Sequence, residues 1–145
     1  MTYYGSRSFI ILLVMLFALA GCSKNEDQQN PIPSVPVNFS INPNSTEYIE
    51  LNTVSGWVNL TGGYRGIIVY RKAINEFMAY ERACPYDWQN NNARVNVDNS
   101  GLIVECPVCK SQFIITDGSP FQGPSPYPLK QYQTTYDGTL LYVYN

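Results

Sequence analysis

Two short cysteine-proline loops constrain this chain more than any other feature of its sequence. The first begins at Cys84-Pro85, and the second reads Cys106-Pro107-Val108-Cys109. Each loop follows an apolar, strand-like run. Three of the four cysteines in the chain lie in these two loops. Thiolates are soft ligands, and a tight turn can present a cysteine together with a second donor a few residues later. The pattern therefore predicts a clamp made of two loops that closes around a metal ion or a cluster.

The two loops and the segment after them resemble a known family. Cys84 and Cys106 match the cysteines of the C-x-H and C-P-x-H loops of Rieske [2Fe-2S] domains. Downstream, Asp117-Gly118 and the proline-rich residues 123–129 are similar to the family's turn and its proline loop. The resemblance extends over about residues 48–145. It implies a small cluster-binding subdomain inserted into an antiparallel β framework, with iron-sulfur binding and electron transfer as the function.

The chain departs from the family at the two histidine positions. Tyr86 stands at the first and Cys109 at the second, and the whole sequence contains no histidine. A Rieske centre is defined by two histidines that replace two cysteines on one iron. The chain therefore resembles a degenerate Rieske domain whose cluster site is altered or vacant.

Several ligand sets remain open for this altered site. Cys84, Cys106 and Cys109 with Tyr86 as the fourth ligand would hold a [2Fe-2S] cluster or iron, since phenolate ligates iron in some proteins. The same cysteines suit zinc, although the usual fourth zinc ligand is cysteine or histidine. Alternatively no metal binds, and a disulfide joins Cys84 to Cys106 or Cys109. The rival function is then a cluster-free binding or structural protein.

The N-terminal residues predict export and lipid attachment. Arg7 precedes an apolar run over residues 9–20, which is too short for a mature membrane helix of about 20 residues but is typical of a signal peptide. Residues 19–22, Leu-Ala-Gly-Cys, resemble the bacterial lipoprotein box. We expect residues 1–21 to be a signal peptide and Cys22 to carry lipid. The predicted location is the cell envelope, on the outer membrane of a Gram-negative bacterium; an ordinary secretory signal is the alternative.

Composition divides the remainder into two parts. Residues 22–44 are polar and interrupted by prolines, which predicts a lipidated N-terminus followed by a flexible tether. Residues 45–145 form one domain by length. The net charge is −2 and no basic cluster occurs, so nucleic acid is excluded as a partner. The membrane is the expected partner through Cys22, and a redox or envelope protein partner cannot be named from the sequence.

The domain reads as all-β. Strand-length runs rich in Val, Ile and Tyr alternate with Gly, Asn and Asp turns. The predicted strands are 48–51, 56–60, 67–71, 77–81, 95–97, 102–105, 112–115, 131–136 and 139–144. Asp137-Gly138 favours a type I′ hairpin turn between the last two. No window suits an amphipathic helix of ten residues or more, so we expect an antiparallel β sandwich or small barrel.

Enzyme signatures are weak in this sequence. Without histidine there is no Ser-His-Asp or Cys-His arrangement, and the acidic residues are dispersed. No glycine-rich phosphate loop follows a strand and opens a helix. The sequence favours an electron-transfer or binding domain over a catalyst.

Overall fold

The computed structural model describes residues 30–145, and this part of the chain is built from short antiparallel strands. A 3₁₀ segment, Thr46–Asn52, is the only helix in the described range. Between residues 30 and 145 no helix is long and apolar enough to cross a membrane. The all-β prediction is confirmed. The strands are β1 Asn38–Ile41, β2 Trp57–Leu60, β3 Ile67–Ala73, β4 Glu76–Glu81, β5 Asn96–Val97, β6 Ile103–Glu105, β7 Gln112–Ile114, β8 Pro120–Gln122, β9 Gln131–Tyr136 and β10 Leu141–Tyr144.

The strands form two sheets. The larger has six strands in the order β1-β10-β9-β4-β3-β2, and the smaller has four in the order β5-β6-β7-β8. In the chain, the whole smaller sheet lies between β4 and β9. This matches the expected insertion of a subdomain into a β framework. The first cysteine loop connects β4 to β5, and the second connects β6 to β7.

Strand β3 is buried on both faces, as is most of β4. Ile67 and Val69 face one apolar core, which lies against β1, β9 and β10. Ile68 and Tyr70 face a second core, which contains residues of the smaller sheet together with two of the cysteines. A strand covered on both sides has no solvent-facing positions, so it reads as a continuous apolar run and not as an alternation. The two cores hold the subdomain firmly against the framework.

The domain begins earlier than the sequence suggests. Residues 30–44 were expected to belong to a flexible tether, but β1 pairs with β10 over four residues at the edge of the larger sheet. Val37 and Ile41 are buried in the framework core, and Ile32 is also buried. An edge strand satisfies the backbone groups of its neighbour and buries one side-chain face. That gain outweighs the tendency of a proline-rich segment to stay free.

Two local predictions were wrong. Residues 48–51 are not a strand but lie within the 3₁₀ segment, where Leu51 is the buried residue. So short an apolar run cannot be assigned to helix or strand by periodicity. In the last hairpin the amide of Asp137 donates to the carbonyl of Leu140 at 3.1 Å, so Gly138 and Thr139 are the central residues. Only Gly138 has a positive φ, 98°, which is the pattern of a type II′ turn and not of type I′.

Candidate metal centre

The first cysteine loop leaves the framework at the end of β4. An isolated bridge between Ala83 and Arg94 closes the loop at its base, and the amide of Cys84 donates to the carbonyl of Ala93 at 2.9 Å. Cys84 is fully buried. The backbone amides of Tyr86 and Asp87 donate to the sulfur of Cys84. The sequence folds this way because Pro85 follows the cysteine and turns the chain back over it.

The second loop has the same construction. Cys106 is fully buried, its amide donates to the carbonyl of Ser111 at 2.9 Å, and its carbonyl accepts from the amide of Lys110 at 3.1 Å. Lys110 adopts a positive φ of 61° to complete this turn. The amides of Cys109 and Val108 donate to the sulfur of Cys106. Amide donors aimed at a sulfur stabilise its thiolate form.

The two loops bring the three thiols together. The sulfur atoms of Cys84, Cys106 and Cys109 all lie within 4.8 Å of one another. The sulfurs of Cys84 and Cys109 are 3.5 Å apart. Cys109 is half-buried and also donates to the hydroxyl of Ser111 at 3.2 Å. These residues are distant in sequence but form one compact donor set between the loops.

The pKa values of the Cys84 and Cys106 thiols are shifted in opposite directions. The pKa of Cys84 is raised, first by its hydrogen bond to Cys106 and then by burial. The pKa of Cys106 is lowered, mainly by the same hydrogen bond and further by the amides at the second loop. Cys84 and Cys106 therefore titrate as a pair, in which one sulfur gives up its proton more readily than a free thiol does, as a metal ligand must.

The fourth predicted ligand, Tyr86, is exposed, whereas Cys84 and Cys106 are buried. The side chain of Tyr86 is 50 % exposed, next to the buried Cys84. Trp88, which follows on the same loop, packs edge-on against the ring of Tyr64 with centroids 6.0 Å apart and belongs to neither apolar core. Asp87 is half-buried and contributes its amide. The structure thus brings together three of the four predicted ligands.

The proline-rich segment covers the second loop. The amide of Ser125 donates to the hydroxyl of Ser111 at 3.1 Å. Gly123 has a φ of 98°, and a Cβ there would lie 2.6 Å from the Cα of Ser111. Leu129 belongs to the same core as the buried cysteines. This contact agrees with the expectation that the segment resembles the family's covering loop. The strand β8, directly before this segment, was missed in the sequence because prolines weaken a strand pattern.

Two residues that support the site were not predicted. Ser111 is fully buried and joins Cys109 to the proline-rich segment. Arg65 donates through Nε and Nη2 to the carbonyl of Trp88 at 3.2 and 2.9 Å, and so holds the first loop from the opposite side. Ser111 was close enough to Cys109 in sequence to be suspected. Arg65 lies far from the loops in the chain, and no local signal identifies it.

Comparison with known proteins gives a fold. No protein-family model matches the chain, and no curated protein is significantly similar to it. Among solved structures, the cyanobacterial plasma membrane Rieske protein PetC3 from Synechocystis PCC 6803 superposes with a TM-score of 0.53 at 19 % identity, covering 71 % of this chain and 97 % of that one. The chain has a Rieske-like domain. A ferredoxin of carbazole 1,9a-dioxygenase from Nocardioides aromaticivorans IC177 aligns with a TM-score of 0.49 at 19 % identity, over 76 % and 97 % of the two chains.

The donor set of this Rieske-like domain does not fit the centre that defines the family. That centre requires two imidazoles, and the chain has no histidine. The residues do fit a thiolate-ligated metal: three sulfurs converge, and backbone amides point at the sulfurs of Cys84 and Cys106. The site is therefore suited to a soft metal or an iron-sulfur cluster with mainly anionic ligands.

Proposed function

We propose that the chain is a lipid-anchored protein of the cell envelope whose Rieske-like domain binds a metal centre through three cysteines and takes part in electron transfer. The convergence of three thiols within 4.8 Å carries this proposal. An iron-sulfur cluster is the first choice because the fold is that of Rieske proteins. Bound there, such a centre would supply one-electron chemistry.

The roles of the chain's own residues follow from the contacts. Cys84, Cys106 and Cys109 would be the ligands, and Tyr86 would complete the set after a side-chain rotation. The amides at both loops would stabilise negative charge on the sulfurs, and the proline-rich segment would exclude water from the second loop. Because anionic donors replace two neutral imidazoles, the reduction potential should lie below the Rieske range. It should also be independent of pH near neutrality, since no histidine titrates.

The short distance between the sulfurs of Cys84 and Cys109 favours a second candidate function, without a metal. The sulfurs of Cys84 and Cys109 are 3.5 Å apart, so a small movement would bring them to bonding distance. In an oxidising envelope the two thiols would form a disulfide, which would contribute about 3 kcal/mol by closing the intervening loop. Cys106 would then remain as a free thiol. In this alternative the domain is a cluster-free binding or structural lipoprotein whose loops are joined by the disulfide.

One experiment separates the two candidates. The protein is purified without oxygen, and the same sample is analysed for metals by elemental analysis and for thiols by intact mass after alkylation. The proposal requires about two irons per chain and no disulfide. One zinc per chain would support the three-cysteine metal site but refute electron transfer, because zinc has no redox chemistry. Mass loss corresponding to one disulfide, no metal and an alkylated Cys106 would refute it and support the alternative.

Matched variants identify the ligands. Replacement of Cys84, Cys106 or Cys109 by Ser should abolish metal retention, because each removes a soft donor. Tyr86→Phe removes only the phenol oxygen and tests the fourth position. Tyr64→Phe is its control, since it removes a phenol from a ring that packs against Trp88 without a place in the donor set. If metal content is the same in all the cysteine variants as in the unmodified protein, the metal lies elsewhere.

The envelope location rests on the N-terminal residues. The apolar run at 9–20 and the following Cys22 support export and lipid attachment, with the outer membrane of a Gram-negative bacterium as the destination. These residues lie outside the described range of 30–145. The folded part would then be joined to the lipidated Cys22 by the seven residues 23–29. The chain already contacts the domain at Asn30, whose side-chain amide donates to the carbonyl of Pro128 at 2.9 Å. Such a short connection would keep the domain close to the membrane surface.

A further inference from the structure

Three arginines line a pocket of about 420 Å³ beside the first cysteine loop. Arg65 comes from the turn between β2 and β3, Arg82 from the end of β4, and Arg94 from the strand-like segment paired with it at the loop base. The glycine-rich turn over residues 61–66 also lines the pocket. The volume is within the range of small-molecule sites.

None of these arginines forms an ion pair with a carboxylate of the described residues. Within residues 30–145 the ion pairs are Lys72–Glu76 and Lys110–Glu105, and neither involves the pocket. The acid next to Arg82 in sequence, Glu81, is fully buried and accepts its hydrogen bonds from backbone amides and a tyrosine hydroxyl. The charge of Glu81 reaches Arg82 but offsets only one of the three positive charges. The pocket therefore remains positive, although the chain as a whole has a net charge of −2.

Two of the guanidinium groups keep donors free for a ligand. Arg82 uses Nε and Nη2 to hold Val95 and Asn96, while its Nη1 remains beside Gly66, where a Cβ would lie 3.8 Å away. The side chain of Arg94 is exposed and forms no hydrogen bond with any residue between 30 and 145. Arg65 is engaged with the first cysteine loop and contributes mainly its charge.

The positive charges of Arg82 and Arg94 also repel each other. The pKa of Arg82 is lowered by burial and then by the charge of Arg94. A bound anion would relieve this repulsion. The hydrogen bonds to Val95 and Asn96 already fix Arg82, so little side-chain entropy is lost on binding.

We propose that this arginine pocket binds a phosphate group, held by Arg82 and Arg94 over the glycine-rich turn. Guanidinium forks match the geometry of phosphate oxygens and form charge-assisted hydrogen bonds with them. The group belongs to free phosphate or to a small phosphomonoester. No cysteine takes part, so the site is independent of the metal centre proposed above.

Calorimetric titration of the full-length protein, as produced in cells, tests the pocket with inorganic phosphate and with glycerol phosphate. We expect saturable binding of at least one of the two at constant ionic strength. Arg94→Gln should weaken binding about tenfold, which corresponds to about 1.4 kcal/mol. Because Arg94 is exposed and makes no side-chain hydrogen bond in the described range, this variant should keep the thermal stability of the unmodified protein.

Lys72→Gln is the control, since it removes the same charge from an exposed position outside the pocket. Arg94→Lys keeps the charge but loses the guanidinium fork, so its affinity for phosphate should lie between that of Arg94→Gln and that of the unmodified protein. Three results would each overturn the proposal: no saturable binding of either ligand, equal weakening by Lys72→Gln, or the same heat signal from sodium chloride. The answer does not depend on metal content, because the titration can be repeated on the Cys109→Ser variant, which should retain no metal.

Discussion

The buried carboxylate of Glu81 is the most sharply testable structural element of this domain. Its side chain is fully buried at the end of β4. Oε2 accepts hydrogen bonds from the amide of Tyr64 and the hydroxyl of Tyr132, both at 2.6 Å. Oε1 accepts from the amides of Arg65 and Ala83, at 2.8 and 2.9 Å. All four partners donate, so the site is built for a carboxylate and not for an amide.

Glu81→Gln replaces one acceptor oxygen by a donor NH₂ group. If the NH₂ group faces Tyr132, that hydroxyl can rotate and accept, but the amide of Tyr64 loses its partner. If it faces the other side, two backbone amides lose theirs. Each buried donor without an acceptor costs about 1–3 kcal/mol, and the remaining bonds lose their charge-assisted strength. We expect a loss of about 3–5 kcal/mol, a large share of the roughly 5–15 kcal/mol of a typical domain.

Urea unfolding at pH 7, followed by circular dichroism and tryptophan fluorescence, measures this loss. Glu76→Gln is the matched control, because Glu76 lies on the same strand but forms an exposed ion pair with Lys72 at 2.9 Å. That change should leave the unfolding free energy nearly unchanged, since solvent screens the pair. A Glu81→Gln variant that unfolds within about 1 kcal/mol of the unmodified protein would show that the four hydrogen bonds do not hold the turn.

Three further predictions concern buried hydroxyls and the N-terminus. Tyr80→Phe should leave the unfolding free energy unchanged or raise it by up to about 1 kcal/mol, because the buried hydroxyl of Tyr80 has no hydrogen-bond partner among residues 30–145. A loss of more than about 1 kcal/mol in urea unfolding would contradict this. The pKa of Tyr132 is raised by burial and then by Glu81, so its contribution to stability is complete below the unfolded pKa of about 10 and is lost as the pH rises above it. The melting temperature should therefore fall between pH 8 and 11, and it should fall less in Tyr132→Phe. An equal fall in both proteins would show that Tyr132 does not cause the loss. Cys22→Ala should release the protein from the membrane fraction or leave it unprocessed, because lipid chains provide the anchor; a variant that is still cleaved and membrane-bound would refute the lipoprotein proposal.

Much of the candidate site could be predicted because its determinants are local. Cysteine-proline spacing marks a loop that presents a thiol, and both Cys84 and Cys106 are found buried at the start of such loops. The strands at 67–71 and 77–81 were recognisable because their apolar runs are long enough to exclude a turn. The run at 48–51 is too short for this, and it was therefore assigned to a strand instead of a helical turn.

Taken alone, the amino-acid order determined the fold class, the two loops and the absence of an imidazole ligand, since each depends on residue type and spacing along the chain. Only the tertiary structure decided that β1 pairs at the sheet edge, that Arg65 holds the first loop, and that the sulfurs of Cys84 and Cys109 lie 3.5 Å apart. These features bring together groups that are far apart in the chain. Their free energy comes from satisfying buried hydrogen-bonding groups and excluding water, and such terms exist only after the chain has folded.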